Sequence, residues 1–116
     1  MTRPPLRLAI NGASGRMGQA LLGLLRDDAR FELCRTVVSP ASRRLGEPVW
    51  PDRALRYTTG WADAPALDAV IDFSGPAGLA GALDHCLAHH LPLVAGTTGL
   101  DAALAARLDA ATAHIA

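Results

Sequence analysis

Apolar and polar positions fall along this chain in blocks whose period changes several times, and each change marks an element. After the Pro4-Pro5 pair, which keeps the chain extended, Leu6-Arg7-Leu8-Ala9-Ile10 is a short, mostly apolar run that stops at Asn11-Gly12, as a buried parallel strand does. From Gly15 the spacing turns helical, with Met17, Leu21, Leu24 and Leu25 on one stripe that ends near Asp27-Asp28. Residues 31–38 return to strand character through Leu33, Val37 and Val38, so the opening reads β-α-β.

Residues 39–68 are rich in Pro, Gly and Arg, and a structureless loop of that length is out of place in a compact domain. Short elements are therefore expected inside it: a third strand at Arg56-Tyr57-Thr58 and a turn of helix over 63–67. Ala69-Val70-Ile71-Asp72-Phe73 is again a strand, closed by Ser74-Gly75-Pro76 and followed by a helix over 77–89. Pro92-Leu93-Val94-Ala95 predicts the next strand, ending in Gly96-Thr97-Thr98-Gly99. Asp101 is placed to cap a last helix over 102–113, with Leu104 and Leu108 inward. His114-Ile115-Ala116 looks like the approach to a further strand, so the expectation is a chain cut short. Strand-helix alternation of this kind specifies an α/β fold, a doubly wound parallel sheet with helices on both faces, in a single domain over 1–116.

Composition narrows the chemistry. The chain has 116 residues, 50% hydrophobic and 19% charged, a globular balance. Its 11 basic and 11 acidic residues cancel, so no long-range field marks a nucleic-acid or acidic-membrane binder, and small molecules or proteins are the expected partners. All 11 basic residues are arginine. Without lysine there is no P-loop, no Schiff-base amine and no Tyr-x-x-x-Lys of a short-chain dehydrogenase. Cys34 and Cys86 are isolated, and the N-terminus has no apolar leader, which reads as a cytoplasmic protein with reduced, buried cysteines. His85 and His89 lie one helical turn apart, but without a third ligand or an H-E-x-x-H pattern no metal site is expected.

The chemistry-bearing segment is Gly12-Ala13-Ser14-Gly15-Arg16-Met17-Gly18, between the first strand and the first helix. There Gly12 permits a tight turn, Gly15 lets backbone approach a pyrophosphate, and Gly18 lets helix and strand pack closely, while the helix N-terminus faces the anion. Ser14 stands where the commoner motif has its middle glycine; it either donates a hydroxyl to phosphate or is a tolerated small residue. Arg16 either grips phosphate or adenine or is a solvated surface arginine. About 20 residues past the motif, a binder of NAD carries an acid for the ribose 2′-hydroxyl. This chain has Val38 and Ser39, with Arg43 and Arg44 behind them, either in reach of a 2′-phosphate or simply solvated. Phe73-Ser74-Gly75-Pro76 and Gly96-Thr97-Thr98-Gly99 both fall at carboxyl ends of strands, where they would flank a nicotinamide. Asp72, inside an apolar strand, reads as a structural acid.

Taken together, Ile10-Asn11-Gly12-Ala13-Ser14-Gly15-Arg16-Met17-Gly18, Val70-Ile71-Asp72-Phe73-Ser74 and Gly96-Thr97-Thr98-Gly99 resemble the dihydrodipicolinate reductase family across essentially the whole chain. The resemblance implies a Rossmann-like cofactor domain of an NADH- or NADPH-dependent enzyme of lysine and diaminopimelate biosynthesis, which reduces a dihydrodipicolinate-type cyclic imine. It further implies a second domain that binds substrate and builds a homotetramer, and that domain is not in this sequence. By resemblance, Gly12, Ala13, Ser14, Gly15, Arg16 and Met17 take the pyrophosphate side, Val38 and Ser39 the adenosine ribose, and Gly96, Thr97 and Thr98 the nicotinamide end; position along the chain adds Arg43 to the ribose site and Phe73 to the nicotinamide end. Many members carry an acid and a basic residue at Val38 and Ser39, and some an arginine at Gly75. The family's His-His pair and catalytic lysine lie beyond Ala116, so no catalytic residue is expected in this chain. The competing expectation is a free-standing NAD(P)-binding regulatory module without catalysis.

Overall fold

The computed structural model of the chain describes residues 4–96 and 101–115. Its elements are β1 (Leu6–Asn11), α1 (Arg16–Leu25), β2 (Phe31–Val37), β3 (Tyr57–Thr58), β4 (Ala69–Asp72), α2 (Pro76–His89), β5 (Leu93–Ala95) and α3 (Ala102–Ala111). The strands form one five-stranded sheet in the order β3-β2-β1-β4-β5, every pairing parallel. The order reverses between β1 and β4, whose ends meet in register at Asn11 and Asp72. Such a switch point opens a crevice at the carboxyl edge of the sheet.

Alternation along β1 divides the core. Leu8 and Ile10 pack with Leu22 and Leu25 of α1 on one face of the sheet, and Ala9 packs with Val70, Ala82 and Cys86 on the α2 face. Pairing of β1 with β2 shifts between Leu8 and Ala9: Leu8 faces Leu33 but Ala9 faces Arg35, leaving Cys34 as an extra residue. This bulge rephases β2 and sets Arg35 beside Ala9, on the α2 side.

The expected elements form, with four corrections. The inward stripe of α1 is Gly18, Leu22 and Leu25, while Met17 and Leu24 are 56% and 75% exposed. Gly18 occupies the contact because a Cβ there would lie 2.5 Å from the Gly12 carbonyl oxygen, so the helix can approach the loop only with no side chain at that point. The helical turn over 63–67 does not form: Asp63 adopts a left-handed φ of 57°, and Pro65 offers no amide hydrogen. The third strand shrinks to Tyr57–Thr58, since Arg56 instead pairs antiparallel with Pro48. Cys34 is only half-buried, as the bulge places it at the margin of the α2-side core; Cys86 is buried, and both thiols are free.

The last helix begins as expected, with the Asp101 carboxylate accepting from the Leu104 amide at 2.7 Å. Leu104 is buried and Leu108 partly so. No described helix is long and apolar enough to cross a membrane.

Candidate functional site

β1 runs straight into its loop because Gly12 turns the chain with a φ of 79°, and its amide and that of Ala13 both donate to the Val37 carbonyl at 2.9 and 3.2 Å. The loop is thus tied to the end of β2. A Cβ on Gly12 would lie 2.5 Å from the Ser74 amide nitrogen, so the loops after β1 and β4 touch backbone to backbone. Gln19, one turn into α1, supports the loop by donating from Nε2 to the Ala13 carbonyl at 2.8 Å and the Tyr57 hydroxyl at 2.9 Å.

Below the crevice sits a buried polar knot. Asn11 Nδ2 donates to Asp72 Oδ1 at 2.9 Å and to the Gly78 carbonyl at 2.8 Å, joining β1, β4 and α2. Asp72 also accepts from the Ser74 hydroxyl at 2.5 Å. Asp72 is fully buried, and the structural role expected for it holds: its carboxylate fixes the ends of the two central strands. Close by, burial first and the Asp72 charge second push the Cys86 thiol up to about 11, which keeps it protonated at neutral pH.

Above the knot lies an open cavity of about 440 Å³ between the loops after β1, β2 and β4, the stretch 59–61 and the first turns of α2. Of the residues expected in a site, Gly12, Val38 and Ser39 line it, as do Ser74 and Gly75 from the loop expected beside the nicotinamide. Val38 is also a buried member of the core on the α1 face. Ala13 is buried, Ser14 half-buried, and Gly15, Arg16 and Met17 are exposed on the first turn of α1 at the same edge. Arg43 is exposed, with no ion pair among the described residues, whereas Arg44 lies over the Tyr57 ring at 6.0 Å. Phe73 packs against Gly96, where a Cβ would run into its ring, and the Gly96 amide donates to the Asp72 carbonyl at 2.7 Å. Thr97 and Thr98 lie outside the described residues.

The sequence reading missed Asn11, Trp61, Gly78 and Gly81 as site residues. Asn11 carried a usable signal, a polar side chain at the last position of an apolar strand. Trp61 carried none, because its place depends on the path of residues 39–68.

Helices α1 and α2 both start at this edge from glycines, Gly15 and Gly75, with no side-chain cap among the described residues. Their free amides face a region where an anion would be stabilised by hydrogen bonds and helix dipoles together.

Behind the cavity wall His85 stacks on Trp61, centroids 4.8 Å apart, and touches the His89 ring at 4.4 Å. Burial, then the His89 and Arg35 charges, lower the pKa of His85 below its ordinary 6.5. The neutral ring is the folded form, so its contribution is complete above pH 6.5 and is lost as pH falls through the lowered value. Trp61 emission, taken as the difference between the parent and Trp61→Phe, is expected to change below pH 6.5. In His85→Phe the change should vanish; its persistence would assign the transition to another group.

An open parallel sheet with a glycine loop at its first βα turn and a cleft at the switch point defines a Rossmann-type nucleotide-fold domain. Within that class the chain belongs to the dihydrodipicolinate reductase N-terminus family, whose model matches residues 6–116. It is 48% identical over 99 residues to the 4-hydroxy-tetrahydrodipicolinate reductase of Xylella fastidiosa (strain 9a5c), covering 83% of this chain and 39% of the relative. It is 43% identical over 118 residues to the enzyme of the same name from Xanthomonas campestris pv. campestris (strain B100), covering 99% of this chain and 47% of the relative. The chain therefore spans less than half the length of these curated relatives. Among solved structures, dipicolinate-bound dihydrodipicolinate reductase from Paenisporosarcina sp. TG-14 superposes with a TM-score of 0.68 at 21% identity, covering 89% of this chain and 41% of that one. Aspartate semialdehyde dehydrogenase with NADP from Candida albicans gives 0.64 at 17% identity, covering 81% and 30%. At such identities the likeness is one of fold.

Proposed function

We propose that this chain is the cofactor-binding half of a 4-hydroxy-tetrahydrodipicolinate reductase and binds a nicotinamide dinucleotide at the carboxyl edge of its sheet. The observation that carries the reading is Gly15. Its φ of −76° suits any residue, and a Cβ there would meet only the Gly12 carbonyl oxygen at an ordinary 3.5 Å. The backbone at the N-cap of α1 is thus left bare at the carboxyl edge of the sheet, where a ligand can approach it closely.

In this reading the amides at the start of α1 from Arg16 onward receive the pyrophosphate, the Gly15 amide being taken by the Gly12 carbonyl at 3.2 Å, with the Ser14 and Arg16 side chains beside it. Ser39 meets the adenosine ribose, and Phe73, Gly96, Thr97 and Thr98 hold the nicotinamide end. The bound cofactor would supply hydride to the cyclic imine of the substrate. This chain's own residues bind and orient the cofactor, and no catalytic residue is assigned among them. Substrate and the homotetramer belong to the full-length enzyme.

The Val38-Ser39 position presents no carboxylate, and Arg43 is unpaired among the described residues and three residues beyond Pro40. NADPH is expected to bind at least as tightly as NADH. A charge-assisted hydrogen bond contributes roughly 1.5–3 kcal/mol, about ten- to a hundredfold in affinity. Calorimetric titration of both reduced cofactors into the parent, Arg43→Ala and Arg44→Ala at fixed salt tests this. Loss of the NADPH advantage in one variant names the arginine responsible; a clear NADH preference in the parent would overturn the assignment, and no binding of either would overturn the function.

A further inference from the structure

Among the described residues the cavity has one large aromatic group in its lining, Trp61, beside the small residues Gly78 and Gly81 of α2. The indole is fixed from two directions. His85 stacks on it at an interplanar angle of 22°, and Arg35 donates to the Gly60 and Ala62 carbonyls at 3.2 and 2.9 Å, holding the backbone on either side. Its pyrrole edge reaches α2 at Gly81, where a Cβ would sit 3.8 Å from Nε1. That Nε1 has no hydrogen-bond partner among the described residues, so an indole N–H beside the cavity keeps its donor. Among the described residues no charged side chain lines the cavity. Its wall beside Trp61 suits an uncharged flat group, while its rim at Gly75, where α2 starts, is the part suited to an anion.

We propose that Trp61 is the base-recognition residue of this chain: the adenine of the dinucleotide enters the cavity against the indole, with Nε1 able to donate to a purine nitrogen or ribose oxygen. The inference rests on the dinucleotide reading above. Position favours the adenine end, because the cavity takes in Val37, Val38, Ser39 and Pro40 at the end of β2, where the adenosine ribose lies in folds of this kind, whereas Phe73 and Gly96 of the expected nicotinamide end are not in its lining and only Ser74 and Gly75 of that loop reach it. The small residues of α2 leave the space, and the bulge at Cys34 supplies the support, since it is what turns Arg35 to this side of the sheet.

The test uses 5′-AMP and nicotinamide mononucleotide as separate halves, titrated by calorimetry into the parent chain, Trp61→Ala, Trp61→Phe and Gly81→Leu. AMP is expected to weaken about tenfold in Trp61→Ala, the magnitude of one base–aromatic contact, and less in Trp61→Phe. Gly81→Leu should abolish AMP binding without lowering the melting temperature, since its Cβ meets only the Trp61 ring, at 3.8 Å, and a glycine inside α2 gives way to a better helix former; this arm stands even if Trp61→Ala fails to fold. Nicotinamide mononucleotide should be indifferent to all three. AMP binding unchanged in both Trp61→Ala and Gly81→Leu, or a response of nicotinamide mononucleotide in place of AMP, would overturn the proposal. If NADPH still binds the parent in that case, the dinucleotide reading survives its loss; if the parent binds neither NADPH nor AMP, both fall.

Discussion

Gly12→Val is expected to unfold the chain or leave it melting more than about 15 °C below the parent. Two effects add at this position. Its φ of 79° is a conformation that a β-branched residue adopts only under strain, and the new Cβ would lie 2.5 to 2.6 Å from the backbone of Phe73 and Ser74. Backbone atoms cannot rotate away as a flexible side chain does. Relief requires the ends of β1 and β4 to separate, which breaks the Phe73 amide to Asn11 carbonyl bond at 2.9 Å and loosens the Asn11–Asp72 bond beneath it. Strain of this kind costs roughly 1–3 kcal/mol and forced overpacking a similar amount. Their sum is a large part of the ~5–15 kcal/mol by which a domain is stable, and each kcal/mol shifts the midpoint by about 4–8 °C in a small domain. Thermal unfolding followed by circular dichroism measures it. A variant melting within about 5 °C of the parent would show that the contact between the two loops is more yielding than its geometry implies.

Gly15→Val, three residues on, should do the reverse: keep the fold and lose the ligand. At −76° the backbone accepts valine, and its Cβ has only an ordinary contact to meet. A valine at the N-cap of α1 exposes its methyl groups at the place assigned to the pyrophosphate, so affinity for NADPH is expected to fall by at least about a hundredfold, as several charge-assisted hydrogen bonds are displaced together. Calorimetry on a variant with parental circular dichroism and melting temperature is the measurement. Equal NADPH affinity in variant and parent would reduce the glycine loop to a turn.

The contrast between these two glycines also shows what could be read from the sequence. Gly12 and Gly18 were assigned to turn and close packing, and the structure has them there for those reasons. The order of strands and helices was legible because β1, β4 and β5 are short apolar runs bounded by glycine or polar breaks. The inward face of α1 was not, because the closest approach to the sheet is made by Gly18, which contributes no hydrophobicity to a stripe. The surface formed by α2 was equally hidden. That helix is rich in alanine, glycine and leucine around its circumference, so no period separates the side facing the core from the side facing the cavity. In β2 the bulge at Cys34 breaks the alternation that would have shown Arg35 and its support of Trp61. Residues 39–68 follow a path set by contacts distant in sequence, such as the Tyr57 hydroxyl with Gln19, and local propensity cannot supply those.

The bare glycine starts of α1 and α2 make the chain's stability a function of what surrounds it. An anion that takes those amides binds the folded chain and not the unfolded one, so by mass action a ligand present at a hundred times its Kd adds about 2.7 kcal/mol. Melting temperatures measured in plain buffer therefore rank variants on a scale different from the one that applies in a cell rich in nucleotide. Gly15→Val, harmless in the first setting, forfeits that increment in the second. Its unfolded fraction there would be about a hundredfold higher than the parent's, and proteases that act on unfolded chains would remove it faster.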